Sequence, residues 1–158
     1  MTTITGMVEE ERQDLAALLH RLTKALVAAE LPLLERHGLG MWAYVVLTEL
    51  SRGAAPTQLA LARAVDVDKT KMVSIIDGME AEGLVSRRPD PDDRRARIIE
   101  PTAEGRERWS GARAAIRRLE DDFLAELPAA GRTTLLAALH DLSGEPLTRL
   151  TATSGGGG

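Results

Sequence analysis

Two lysines and five arginines carry the chemistry that stands out in this chain. Lys69 and Lys71 lie two residues apart, and Arg87, Arg88, Arg94, Arg95 and Arg97 crowd one short stretch. Cations grouped in this way suit phosphate oxygens and the acceptor edge of guanine rather than proton transfer or nucleophilic attack. The patterns that catalysis needs are missing. Without cysteine there is no thiol nucleophile, disulfide or Cys–zinc site. The histidines, His20, His37 and His140, are scattered without metal-ligand spacing, so no metal site is expected. There is no Gly-rich phosphate loop, nucleophile elbow or His-x-x-x-His pair. Carboxylates such as Glu120, Asp121 and Asp122 beside Arg117 and Arg118 read as a solvated helix face. Neither an enzyme nor a cofactor is expected.

The elements that must position these cations follow from composition and periodicity. A chain of 158 residues suits one domain or one subunit of an oligomer. Its net charge of −4 argues against indiscriminate coating of nucleic acid but leaves room for a local basic surface. The charge is segregated: residues 85–97 hold five arginines against three aspartates, whereas residues 1–50 hold four basic and seven acidic groups. The polar, acidic start does not resemble a secretory signal, and no apolar run approaches the ~18 residues of a membrane span. A soluble, cytoplasmic protein is the expectation.

From Glu9 to Arg36, Leu15, Leu18, Leu19, Leu22 and Leu26 recur at helical spacing, with a kink or restart expected at Pro32 and a stop at His37-Gly38. A second helix is expected over about 40–52. Thr57 caps a short helix that fades near Ala64, a turn follows at 65–68, and Asp68 caps a helix over 69–82 that Gly83 ends. Leu84 to Arg88 reads as a strand, Pro89 to Asp93 as a hairpin tip, and Arg95 to Glu100 as the return strand. Thr102 caps a long helix over 103–127, Pro128 and Gly131 break it, and a last helix covers 132–143. Residues 151–158, ending in four glycines, read as a disordered tail.

Two short helices joined by a tight turn and followed by a hairpin make a winged helix-turn-helix. The fold class is therefore mainly α with a small two-stranded β-wing. The winged domain spans 38–102, and the flanking helices at 9–37 and 103–150 carry leucine stripes wider than that domain can cover. A second copy of the chain would cover them, giving a C2 homodimer. Lys69, Thr70, Lys71 and Ser74, at the start of the second helix of the motif, then face base edges in the major groove of double-stranded DNA. Arg87, Arg88 and Arg97 on the hairpin strands would reach phosphates, as would Thr57 at a helix N-terminus. Paired winged domains imply a pseudo-palindromic operator with half-sites ~10 bp apart.

The sequence resembles the MarR (multiple antibiotic resistance regulator) family of transcription factors over residues ~10 to ~145. The residues that carry the resemblance are Leu61-Ala62-x-x-Val65-x-Val67-Asp68, Met79-Glu80-Ala81-Glu82-Gly83-Leu84-Val85-Ser86-Arg87, Pro89-Asp90-Pro91-Asp92-Asp93-Arg94-Arg95-Ala96 and Thr102-Ala103-Glu104-Gly105. Pro101 departs from the family's usual leucine before the threonine. The resemblance implies repression, with Arg95 or Arg94 inserted in the minor groove and Asp93 steadying the wing. It also implies release by a small phenolic or aromatic anionic effector, for which His20, Trp42, Tyr44, Trp109 and Arg113 are the candidate contacts. The competing reading is a winged-helix module for protein interaction or chromosome architecture. Such a module has no reason to present cations at both the helix start and the hairpin tip.

Overall fold

The computed structural model describes residues 13–53 and 56–154. It is mostly helical with one two-stranded antiparallel sheet. The order is α1 (Leu15–Arg36), α2 (Met41–Leu50), α3 (Gln58–Ala64), α4 (Lys69–Ala81), β1 (Val85–Pro89), β2 (Arg97–Pro101), α5 (Ala103–Leu124), α6 (Ala129–Leu142) and α7 (Glu145–Ser154). No described helix is long and apolar enough to cross a membrane. The chain divides into two compact units, Met1–Ile116 and Arg117–Gly158.

In the first unit, three helices end by the same device. Past α1, the Gly38 N–H donates to the Glu35 carbonyl at 2.9 Å and the Leu39 N–H to the Leu34 carbonyl at 3.0 Å. Past α4, Gly83 and Leu84 donate in the same way to Glu80 and Met79. Both glycines hold the left-handed φ that this cap demands, +65° and +71°. Past α3 the left-handed residue is Asp66, φ +54°, with Val67 donating to Ala62 at 3.0 Å. Aspartate tolerates that region better than most residues with a Cβ. The turn that joins α3 to α4 is thereby closed at both ends, because Asp68 starts α4 by accepting the Lys71 N–H at 2.9 Å.

The core of this unit gathers Leu34 from α1, Val46 from α2, Leu61 from α3 and Met72 and Ile76 from α4. Leu84, Ile99 and Ala112 join them. The hairpin pairs Val85 with Pro101 and Arg87 with Ile99. Thr57 also bridges Ile98, and Ile99 donates to the Pro56 carbonyl at 3.0 Å, so the lead into α3 is fastened to the wing. Where the wing returns, Thr102 donates its backbone N–H to the Leu84 carbonyl at 3.0 Å and its hydroxyl to the Gly83 carbonyl at 2.5 Å. The same hydroxyl oxygen accepts the Gly105 N–H at 3.0 Å and caps α5. A Cβ on Gly105 would lie 2.1 Å from the Leu84 carbonyl oxygen, so α5 meets the wing root through bare backbone.

In the second unit, α6 has no buried residue. Leu135, Leu136, Leu139 and Leu142 are all exposed.

Several boundaries differ from the sequence expectation. Residues 9–12 lie outside the described region, and α1 runs through Pro32 as one helix. α5 ends at Leu124 rather than 127. α6 starts at Ala129 because Pro128 serves as its N-cap, so Gly131 sits in its first turn instead of breaking it. The expectation of disorder fails over residues 151–154: α7 runs on to Ser154, with Pro146 in its first turn, where a missing N–H costs no helix bond. Residues 155–158 lie outside the described region. Pro101 is the last residue of β2, so the return strand starts two residues later and ends one residue later than expected.

The Gly105 contact yields a direct test. Gly105→Ala should destabilise the fold by about 1–3 kcal/mol through overpacking against backbone that cannot yield. Urea denaturation should show a lower midpoint, and an unchanged midpoint would mean that α5 does not depend on this approach.

Candidate nucleic-acid interface

The start of α4 and the tip of the wing share one face of the first unit. A cleft of about 350 Å³ is lined by Thr57 from the start of α3, by Lys69 from α4, and by Asp93, Arg95 and Arg97 from the wing. Four of the residues expected to grip DNA thus converge from the start of α3, the start of α4 and the wing. The Thr57 Oγ1 accepts the Ala60 N–H at 3.1 Å, which leaves its O–H able to donate outward. Thr70 and Ser74 are exposed one helical turn apart on α4.

The wing tip is built by its aspartates. Asp90 accepts the Asp92 N–H and Asp93 the Arg95 N–H, each at 2.9 Å, and the Asp93 carbonyl accepts Ala96 at the same distance. Asp93 therefore fixes the backbone turn that carries Arg94 and Arg95, rather than gripping a guanidinium. Both arginines are exposed, and neither side chain has a hydrogen-bond partner among the described residues. Arg97 folds back on the wing, donating to the Arg94 and Ala96 carbonyls at 3.2 Å.

Strand alternation separates the two remaining arginines. Arg88 points to the outer face and pairs with Glu100 at 3.0 Å. Arg87 lies on the inner face with Val85 and Ile99. Its side chain is 19% exposed, and the guanidinium pairs with Asp77 and, at 2.7 Å, with Glu80, both on α4. Its Nε donates to Gln58 of α3 at 3.2 Å, and its backbone N–H to Glu80 at 3.3 Å. Burial opposes the charge on this guanidinium, but the hydrogen bonds and fields of Asp77 and Glu80 outweigh it and raise the pKa. The expectation that Arg87 reaches phosphates thus meets a side chain committed to α4. Period-two alternation from Val85 is the sequence signal that places it inward.

Lys71 is also engaged. Its ammonium sits 4.1 Å from the centre of the Trp42 ring, a cation–π contact between α4 and the start of α2.

The five effector candidates lie on α1 (His20), α2 (Trp42 and Tyr44) and α5 (Trp109 and Arg113). His20 is exposed on α1. The Trp109 indole N–H donates to the Thr48 Oγ1 at 2.9 Å, and that hydroxyl donates to the Tyr44 carbonyl at 2.7 Å. The Arg113 guanidinium lies 5.0 Å from the centre of the Trp109 ring. Trp109 also lines a cleft of about 580 Å³ with Leu47, Leu50, Pro101 and Arg106, whereas Tyr44 lines a separate one. Arg106 was not anticipated from the sequence, since nothing in a lone helical arginine marks a cleft. No three His, Asp or Glu side chains among the described residues could hold a metal ion.

Residues 41–96 match the model of the MarR family. A Thauera aromatica protein named as a transcriptional regulatory protein for the hcr operon is 33% identical over 99 residues, covering 63% of this chain and 60% of that protein. The chain thus spans about three fifths of that relative's length. A MarR-family transcriptional regulator from Rhodococcus sp. RHA1 superposes with a TM-score of 0.72 at 26% identity, covering 84% of this chain and 97% of that one. CouR of Rhodococcus jostii RHA1 shares the fold at 24% identity. As a transcriptional repressor bound to a 23-mer DNA duplex it superposes with a TM-score of 0.75, covering 90% of this chain and 99% of its own. Bound to p-coumaroyl-CoA it superposes with a TM-score of 0.70, covering 84% and 94%. From α2 to the wing the chain thus resembles the MarR family, and it shares its winged fold with these structures.

Proposed function

We propose that this chain is a sequence-specific, DNA-binding transcriptional regulator that acts in the cytoplasm as a homodimer, mainly as a repressor. The observation that carries the reading is the convergence of Thr57, Lys69, Arg95 and Arg97 on one cleft. α4 enters the major groove with Lys69, Thr70 and Ser74 toward base edges and Lys71 at its flank. Arg94 or Arg95 enters the adjacent minor groove, whose negative potential draws arginine. Arg88, Arg97 and Thr57 meet phosphates, which adds affinity without sequence information. The duplex held by CouR, which shares this fold, supports the reading.

Dimerisation through the flanking helices, 9–37 and 103–150, is supported by their exposed leucines. Leu15, Leu18, Leu19 and Leu22 are exposed on α1, as are Leu135, Leu136, Leu139 and Leu142 on α6. Apolar faces of this extent mark a contact surface. Release by a small aromatic or anionic effector is supported by p-coumaroyl-CoA in CouR and by the Trp109–Arg113 pair here. Trp42 is assigned to the α4 flank, while Tyr44, Trp109, Arg113 and His20 remain the contacts to test.

Three outcomes are expected. A duplex enriched from a random library should bind at least ~10³-fold more tightly than bulk DNA at ~0.15 M salt. Arg95→Ala and Lys69→Ala should each weaken it, and equal affinity for random duplex would refute sequence-specific binding. Leu22→Glu with Leu139→Glu should convert a dimer to a monomer in sedimentation, and an unchanged mass would remove the dimer. Aromatic carboxylates and their coenzyme A thioesters should release the DNA in fluorescence anisotropy. The absence of release across a broad panel would remove the effector.

A further inference from the structure

The helix that enters the groove is not basic along its length. Lys69 and Lys71 occupy its first turn, but Asp77 and Glu80 follow on one flank and are 60% and 43% exposed at their side chains. Rows of phosphates border a DNA groove on both sides, so two carboxylates on an inserted helix meet like charge. The fold places one cation against both. Arg87 reaches across from β1 and pairs with Asp77 and Glu80, while its Nε is held by Gln58 of α3.

Two features argue that this cation serves the charge on the helix rather than the fold or the phosphates. The wing is already fastened to the core by Leu84, Val85 and Ile99, all essentially fully buried. Ion pairs to exposed carboxylates add little to stability. Every nitrogen of the guanidinium already has a protein acceptor, the last being the Val73 carbonyl at 3.5 Å. Of its five N–H donors, a phosphate would find only the second one on Nη1 without an acceptor.

We propose that Arg87 is a built-in counter-ion for the recognition helix. It offsets Asp77 and Glu80 so that α4 can lie between phosphates, and it positions the reading surface without touching DNA. This inference rests on the DNA-binding reading above.

The test uses the full chain and a duplex enriched by the wild-type protein from a random-sequence library. Arg87→Ala should weaken binding by roughly tenfold, and adding Asp77→Asn with Glu80→Gln should bring it back to within about threefold of wild type. If the triple variant stays as weak as Arg87→Ala, the arginine is a phosphate contact and the proposal is overturned. Unchanged binding by Arg87→Ala overturns it as well. The pair Asp77→Asn and Glu80→Gln, with Arg87 kept, covers the case in which Arg87→Ala does not fold. A counter-ion role predicts binding at or above the wild-type level for that pair, and weaker binding would show a structural clasp instead. If the library yields no duplex at all, the DNA-binding reading itself fails, an outcome distinct from failed rescue in a wild type that binds.

Discussion

The helix-turn-helix and its wing hang from one backbone junction, Gly83-Leu84. Four segments are tied there by local bonds. The end of α4 is closed by the Leu84 N–H on the Met79 carbonyl, and β1 starts at the next residue. The carbonyls of Gly83 and Leu84 then accept the hydroxyl and the N–H of Thr102, which fixes the end of β2. Thr102 in turn caps α5 at Gly105, the residue whose missing Cβ lets the helix touch the Leu84 carbonyl. α4, the wing and α5 share this junction, so moving one displaces the others.

Around that junction α4 is held on two flanks by unlike means. On one, the Trp42 ring lies beneath the Lys71 ammonium. On the other, Arg87 draws Asp77 and Glu80 toward the wing. Neither contact is deep, yet both act on side chains at the exposed edge of α4. Cation–π attraction at an exposed site is a modest effect of about 0.5–1 kcal/mol. Its consequence is directional: it fixes where a flexible four-carbon stem carries its charge.

The sequence disclosed most where one side chain bonds to nearby backbone. Thr57, Asp68 and Thr102 cap helices as their types and spacing suggest, and Gly38 and Gly83 end them. The hairpin was legible from Pro89 to Asp93 because proline and aspartate act on their own turn. Contacts that depend on packing between distant segments were not legible. Nothing near Lys71 in sequence names Trp42 as its partner, and nothing near Trp109 names Thr48. Arg87 lies between these cases. Its inward direction follows from strand alternation, but its partners depend on how α4 crosses the sheet. α7 escaped notice because Gly144 and Pro146 look like breakers and are in fact a boundary and a first-turn residue.

The exposed leucines of α6 bear on what thermal stability means for this chain. A helix with no buried residue has no interior of its own to lose on heating. Its order rests on whatever covers Leu135, Leu136, Leu139 and Leu142. When that cover is a second subunit, folding and association become one equilibrium, and the melting temperature rises with protein concentration. The midpoint is then a property of the solution as much as of the sequence, and a dilute sample and a concentrated one differ without any change in the molecule.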